Sequence, residues 1–152
     1  MSRIQIPRFG ELLAPYLSDV PAGALPYLLS QLERSAAARY RSWADALPEH
    51  APGLLACAER ETAIADRVEA LFPASDADRA RADAVLPAAR AAYYTVFEGH
   101  TPLEQMTIQE DAERQGAGAW QNLKAGCPDK AAELDALSAI ELESADYLRT
   151  LI

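Results

Sequence analysis

Five glutamates carry the chemistry that this chain could perform, because ionised carboxylates facing a protein interior need a partner of opposite charge. Each buried charge costs several kcal/mol, and like charges in one dry region repel. Compensation has to come from metal cations, arginine, shared protons or water. Two divalent cations would compensate most directly, since hard cations prefer oxygen ligands. The five glutamates predicted to face inward are Glu33, Glu61, Glu110, Glu113 and Glu141.

Helical geometry places two of these glutamates inside apolar stripes. At about 100° per residue, Glu61 lies about 20° from the centre of its stripe, whereas Glu59 points outward. Glu141 has the same position on a later helix, where Glu143 points outward. A lone glutamate near an apolar stripe usually lies on its flank with the carboxylate in water, and Glu33 fits that description. Glu61 and Glu141 are therefore the strongest candidates.

The chain also repeats itself at an offset of 80 residues, so that residues 33–72 align without a gap on residues 113–152. Two repeated helical hairpins predict an all-α four-helix bundle, in which inward glutamates of facing helices can build a metal site. Tyr40 falls on Trp120. The matching pairs include Glu33 with Glu113, Arg34 with Arg114, Pro48 with Pro128, Leu54 with Leu134, Glu61 with Glu141 and Asp66 with Asp146.

Proline, glycine and capping residues set the boundaries of the helices that must position these glutamates. The segment 101–104, Thr-Pro-Leu-Glu, has the form of a capping box with proline at the first helical position. Residues 1–21 contain three prolines, which predict an extended N-terminal arm. Residues 22–152 are predicted to form a single domain. Its helices are expected at about 24–47, 51–72, 102–125 and 129–151, with a long helical crossover at 75–98.

This arrangement resembles the ferritin-like superfamily of di-metal carboxylate proteins, and the resemblance covers residues 24–152. Members of that family place single glutamates on two helices, as Glu33 and Glu113 would be here. They place a Glu-x-x-His motif on the other two helices, and Glu61 and Glu141 match its first residue. Glu110 resembles the additional glutamate of rubrerythrin-like members. The resemblance implies two bound Fe or Mn ions and an oxidase, oxygenase or ferroxidase-like activity.

The chain departs from the family at both histidines of that motif, whose positions hold Ile64 and Ser144. A site here would have only oxygen ligands, which weakens iron binding and favours manganese. The alternative is a bundle that has kept the fold without the metals and serves as a binding or assembly module. Residues expected beside the site are Tyr40, Trp120, Arg39 and Ser144.

Composition bounds the remaining possibilities. With 152 residues and a net charge of −9, the chain lacks the clustered lysine and arginine that a nucleic-acid surface needs. It shows neither an apolar run of the ~18 residues that span a membrane nor a signal peptide. Cys57 and Cys127 lack a pairing motif, which favours free thiols in a cytoplasmic protein.

The apolar arm predicts a homodimer or higher homo-oligomer. His50 and His100 fall in loops, where two histidines alone would bind metal weakly.

Overall fold

The computed structural model describes residues 4–152, which form six α-helices joined by turns and short 3-10 segments and contain no β-strand. The all-α prediction is therefore confirmed. The five long helices begin and end within a few residues of the predicted boundaries. The helices are α1 Phe9–Leu17, α2 Leu25–Ala46, α3 Ala51–Leu71, α4 Asp76–Thr95, α5 Pro102–Leu123 and α6 Ala131–Arg149.

The chain divides into two compact units, whereas the sequence predicted one domain over residues 22–152. The N-terminal unit comprises residues 8–98, and the C-terminal unit comprises residues 99–152 together with residues 4–7. The division follows because each long helix of a hairpin packs mainly on its neighbour in sequence. Gly99 lies at the division with a φ of +79°, a left-handed conformation that glycine adopts without steric penalty.

Each unit contains one helical hairpin, and the two hairpins are structural repeats. Every buried position of α3 recurs as a buried position of α6 eighty residues later. Burial repeats even at positions where the residue type differs between the two hairpins. The buried residues of α3 are Leu54, Cys57, Ala58, Glu61, Ile64, Ala65 and Val68, and those of α6 are Leu134, Leu137, Ser138, Glu141, Ser144, Ala145 and Leu148.

The turn and one ion pair repeat as well. A 3-10 turn joins the helices of each hairpin, at Pro48–His50 and at Pro128–Lys130. Proline begins both turns because its fixed φ suits the first helical position and its missing N–H is not needed there. In the first hairpin Arg34 on α2 binds Asp66 on α3, with 2.8 Å between the charged atoms. In the second hairpin the equivalent pair, Arg114 on α5 and Asp146 on α6, is 3.3 Å apart.

Helix α4 packs against α2 within the N-terminal unit and is fixed to it at Ser35. The guanidinium Nε of Arg90 donates a hydrogen bond of 2.9 Å to the Ser35 hydroxyl. The Tyr94 hydroxyl donates one of 2.9 Å to the Ser35 carbonyl. Ser75 is the N-cap of this helix, and its side chain accepts a hydrogen bond from the backbone N–H of Asp78. The segment predicted as a helical crossover is therefore a helix, bound to the first hairpin.

The predicted extended arm over residues 1–21 is wrong in its central part, where Phe9–Leu17 is helix α1. Residues 1–3 lie outside the described part of the chain. Pro15 lacks the N–H that would bond to the carbonyl four residues earlier, and α1 ends two residues after it. Phe9 is buried, and its ring centroid lies 6.1 Å from that of Tyr93 on α4. Burial of this aromatic side chain outweighs the proline signal. Among the described residues no helix is long and apolar enough to cross a lipid bilayer.

Candidate functional site

The two glutamates predicted in the middle of apolar stripes are both buried. Glu61 is 1% exposed and Glu141 is 2% exposed, although each belongs to a residue type that is rarely buried without a partner. Glu59 and Glu143, predicted to point outward on the same helices, are exposed. The helical-face prediction is confirmed for all four residues, and burial selects the same repeated position in each hairpin.

In the first hairpin the structure brings Glu33 and Glu61 together. Their carboxylate oxygens lie within 4.8 Å of one another, with Glu33 on α2 and Glu61 on α3. Glu33 is half-buried, as its place on the flank of its helix predicted, while Glu61 is fully enclosed. Two carboxylates at this separation repel unless a cation or a proton lies with them. This hairpin therefore presents a paired acidic group with one protected and one accessible member.

In the second hairpin Glu141 accepts a hydrogen bond from an indole. Nε1 of Trp120 on α5 lies 3.0 Å from Oε1 of Glu141 on α6, and both side chains are buried. The predicted inward face of α5 is confirmed, since each of its members is buried. The sequence predicted Trp120 beside the candidate glutamates, and in the structure it contacts Glu141. The members of that face are Met106, Glu110, Glu113, Ala117 and Trp120.

The remaining two of the five candidate glutamates, Glu110 and Glu113, lie on α5 and have protein donors one helical turn away. Gln109 donates a hydrogen bond of 2.8 Å from Nε2 to Oε1 of Glu113, and this pair is buried. Arg114 forms an ion pair of 2.7 Å with Glu110, and Arg149 approaches the same oxygen at 3.8 Å. The sequence reading missed Gln109 and Arg114 as partners. The signal was present in the four-residue spacing, because residues i and i+4 share a helix face.

The other predicted neighbours occupy distinct surroundings. Tyr40 is fully buried, with its ring edge-on to Trp43 at 5.3 Å between centroids. Arg39 lies over aromatic rings of α2 and of the segment after α4, at 5.3 Å from the centroid of Trp43 and 5.1 Å from that of Phe97. Its guanidinium therefore has cation–π partners within the N-terminal unit. The sequence did not predict this aromatic contact.

The positions of the missing histidines are buried. Ile64 and Ser144 are both fully enclosed, at equivalent places on α3 and α6. Neither supplies an imidazole, so the two positions of each motif offer the carboxylates of Glu61 and Glu141 and the hydroxyl of Ser144. His100 lies 3.6 Å from Glu104 at the start of α5, where its partner is a capping carboxylate. The donor set is therefore oxygen-based.

Comparison of the chain with protein-family models, with curated proteins and with solved structures finds no match. The resemblance to the ferritin-like superfamily accordingly depends on the pattern of glutamates and on the repeated hairpin.

Proposed function

We propose that this chain is a ferritin-like protein that binds divalent iron or manganese through carboxylates of its two helical hairpins. The observation that carries the proposal is the duplicated burial of Glu61 and Glu141. Both hairpins enclose a glutamate at the same position of an otherwise apolar or small-residue face. Burial of a carboxylate at the same position of both repeats is unfavourable unless a cation, a proton or a hydrogen-bond donor compensates its charge.

The donor set fits a hard divalent cation. Glu33 and Glu61 offer oxygens close enough for one ion to bind both, and carboxylates are the ligands that manganese and ferrous iron accept without imidazole. In the second hairpin Glu113 and Glu141 are the corresponding residues. Glu110 fits less well, because Arg114 already neutralises it. The ferritin-like arrangement of the four long helices is part of this proposal.

The chain's own residues would bind the metal, fix its ligands and exclude water. The indole of Trp120 orients Glu141, and the amide of Gln109 orients Glu113. Ile64 replaces a histidine by an apolar side chain, which keeps water away from Glu61. When bound, iron or manganese supplies one-electron chemistry toward dioxygen or a peroxide. The proposed class of activity is therefore oxidase, oxygenase or ferroxidase-like.

One feature of the second hairpin favours the alternative, a metal-free bundle that serves as a binding or assembly module. Each of its three buried glutamates accepts a hydrogen bond from a protein side chain. Gln109 donates to Glu113, Arg114 donates to Glu110 and Trp120 donates to Glu141. Carboxylates satisfied in this way can serve as structural acceptors without a cation. Under this alternative the helix-containing N-terminal segment would contact a second copy of the chain.

Elemental analysis separates the two functions. The purified protein would be analysed as isolated and again after anaerobic loading with Fe(II) or Mn(II) and removal of free metal. We expect retained metal in the wild type and reduced retention in E61Q and E141Q, which remove charge with little change in volume. E59Q and E143Q are matched controls, since they remove an exposed charge from the same helices. Equal retention in all five proteins, or none in the wild type, would contradict the proposal.

A further inference from the structure

The carboxylate of Glu141 lies directly against the backbone of the facing helix at Gly116. A β-carbon placed at Gly116 would lie 3.2 Å from Cδ and Oε1 of Glu141 and 3.3 Å from Oε2. Such distances are shorter than ordinary van der Waals contact. A methyl group at position 116 would therefore have to displace the carboxylate of Glu141 by a few tenths of an ångström. Glycine here permits close approach of the carboxylate at an interior helical position, where alanine would favour the helix more.

Trp120 completes this contact, because it lies one helical turn after Gly116 on the same face of α5. Its Nε1–H donates a hydrogen bond of 3.0 Å to Oε1 of Glu141. The carboxylate is thus held by a donor on one side and by the bare backbone beneath it. We call Gly116 and Trp120 together the carboxylate cradle. Both residues and Glu141 belong to the C-terminal unit.

The first hairpin has different residues at the two cradle positions. Eighty residues earlier, Ala36 occupies the position of Gly116 and Tyr40 occupies that of Trp120. A methyl group at position 36 and a phenol at position 40 replace the two features that enclose Glu141. The asymmetry indicates that Glu61 and Glu141, although buried alike, are held differently.

We propose that Gly116 and Trp120 are positioning residues that hold Glu141 as a fixed metal ligand, and this inference depends on the proposed function. A hydrogen bond from the indole fixes one oxygen and favours the ionised carboxylate that a cation binds. Close contact with the backbone at Gly116 restricts rotation of the carboxylate plane. Partners that orient a ligand in this way typically change metal affinity about 10–100-fold when they are removed.

The metal-free protein tests the cradle itself. The chain has two tryptophans, so its two indole N–H resonances can be assigned with W120F, which removes one of them. We expect G116A to shift the Trp120 resonance, because the added methyl displaces Glu141. G118A is the matched control: among the described residues, no atom outside the adjacent residues and the helix's own backbone lies within 4 Å of a β-carbon at Gly118, two residues along the same helix. An unchanged Trp120 resonance in G116A would overturn the cradle.

Mn(II) binding, followed by electron paramagnetic resonance of the free ion, tests the positioning role. G116A and W120F should each raise the Kd about 10–100-fold, while G118A should leave it unchanged. Thermal melting confirms folding, since G118A should raise the Tm by about 2–4 °C through helix propensity. Wild-type affinity in both cradle variants would overturn the positioning role and leave the proposed function standing. Absence of Mn(II) binding by the wild type would overturn both.

Discussion

Arg114 donates a hydrogen bond of 2.7 Å to Glu110, one turn earlier on α5, and so provides the positive charge that this buried carboxylate requires. Glu110 is largely enclosed, whereas Arg114 is partly exposed, and the pair lies at the edge of the buried face. The electrostatic problem posed by the inward glutamates is thus solved differently along the chain. The carboxylate of Glu110 accepts a hydrogen bond from an arginine, that of Glu141 from an indole and that of Glu113 from an amide.

The Glu110–Arg114 pair should respond asymmetrically to loss of either partner. R114M leaves a largely buried carboxylate that Arg149 approaches at 3.8 Å, and we expect it to lower the free energy of unfolding by about 1–2 kcal/mol. E110Q keeps an acceptor for Arg114, which can also reach water, so the loss should be about 0.5 kcal/mol or less. Urea denaturation of both variants checks this. A larger loss in E110Q than in R114M would contradict it.

The two acidic partners of Arg34, Glu69 and Asp66, should contribute unequally to the free energy of unfolding. Glu69 accepts hydrogen bonds from Ser30, Gln31 and Arg34, and its side chain is 29% exposed. Among the described residues Asp66 accepts a side-chain hydrogen bond from Arg34 alone, and its side chain is 65% exposed. We expect E69A to lower the free energy of unfolding by about 1–2 kcal/mol and D66A by less than about 0.5 kcal/mol. Equal effects in urea denaturation would show that exposure does not decide the contribution.

Metal binding should raise the melting temperature by mass action. At a free metal concentration of about 100 times the Kd, the gain is about 2.7 kcal/mol, or a Tm increase of about 5–10 °C for a chain of this size. E61Q should lose the increase and should melt higher than the wild type in the absence of metal, because it removes a buried charge. E59Q should behave as the wild type. A flat response of the wild type to Fe(II) and Mn(II) under reducing conditions would favour the metal-free module.

The start of α5 makes a pH-dependent contribution to stability. The backbone N–H of Thr101 hydrogen-bonds the Glu104 carboxylate, which lowers the pKa of Glu104 below its ordinary value of 4.5. A carboxyl with a depressed pKa stabilises the fold above its unfolded-state pKa, and that stability is lost as the pH falls through the folded-state pKa. E104Q should therefore destabilise the protein at pH 7 and approach the wild type in acid. Melting curves between pH 7 and pH 3 test this.

The opposite end of the same capping box gives a pH-independent comparison. The Thr101 hydroxyl accepts a hydrogen bond from the backbone N–H of Glu104. T101A should lower the free energy of unfolding by about 1 kcal/mol at pH 7. Because the hydroxyl does not titrate, most of this loss should persist at pH 3. Convergence of T101A with the wild type in acid would assign the whole effect to the carboxylate.

Many helix boundaries and the inward faces of the helices followed from local sequence signals. Helix boundaries were predictable from Pro48, Pro128 and the Thr101 capping box, where backbone chemistry allows few alternatives. The inward direction of Glu61 and Glu141 followed from helical periodicity alone. These features depend on residues within one or two turns of each other. Local spacing was sufficient to predict them.

Features that depend on packing were not predictable in the same way. Helix α1 forms where prolines predicted an extended arm. Phe9 of this helix is buried against Tyr93, a partner more than eighty residues away that local spacing does not reveal. The division into two units depends on how contacts are distributed, which periodicity does not report. Gly116 carried a faint signal, as glycine is unfavourable inside a helix, yet only the position of Glu141 explains it.

The buried thiol of Cys57 can report how often the first hairpin opens. Its thiol is completely enclosed on α3, whereas Cys127 is half-buried. In a C127S background a thiol reagent could modify Cys57 only when the hairpin transiently opens, so the labelling rate measures the free energy of that opening. Leu137 occupies the equivalent enclosed position on α6. A cysteine placed there, with Cys57 replaced by serine, would time the second hairpin by the same chemistry and show whether duplicated burial confers equal resistance to opening.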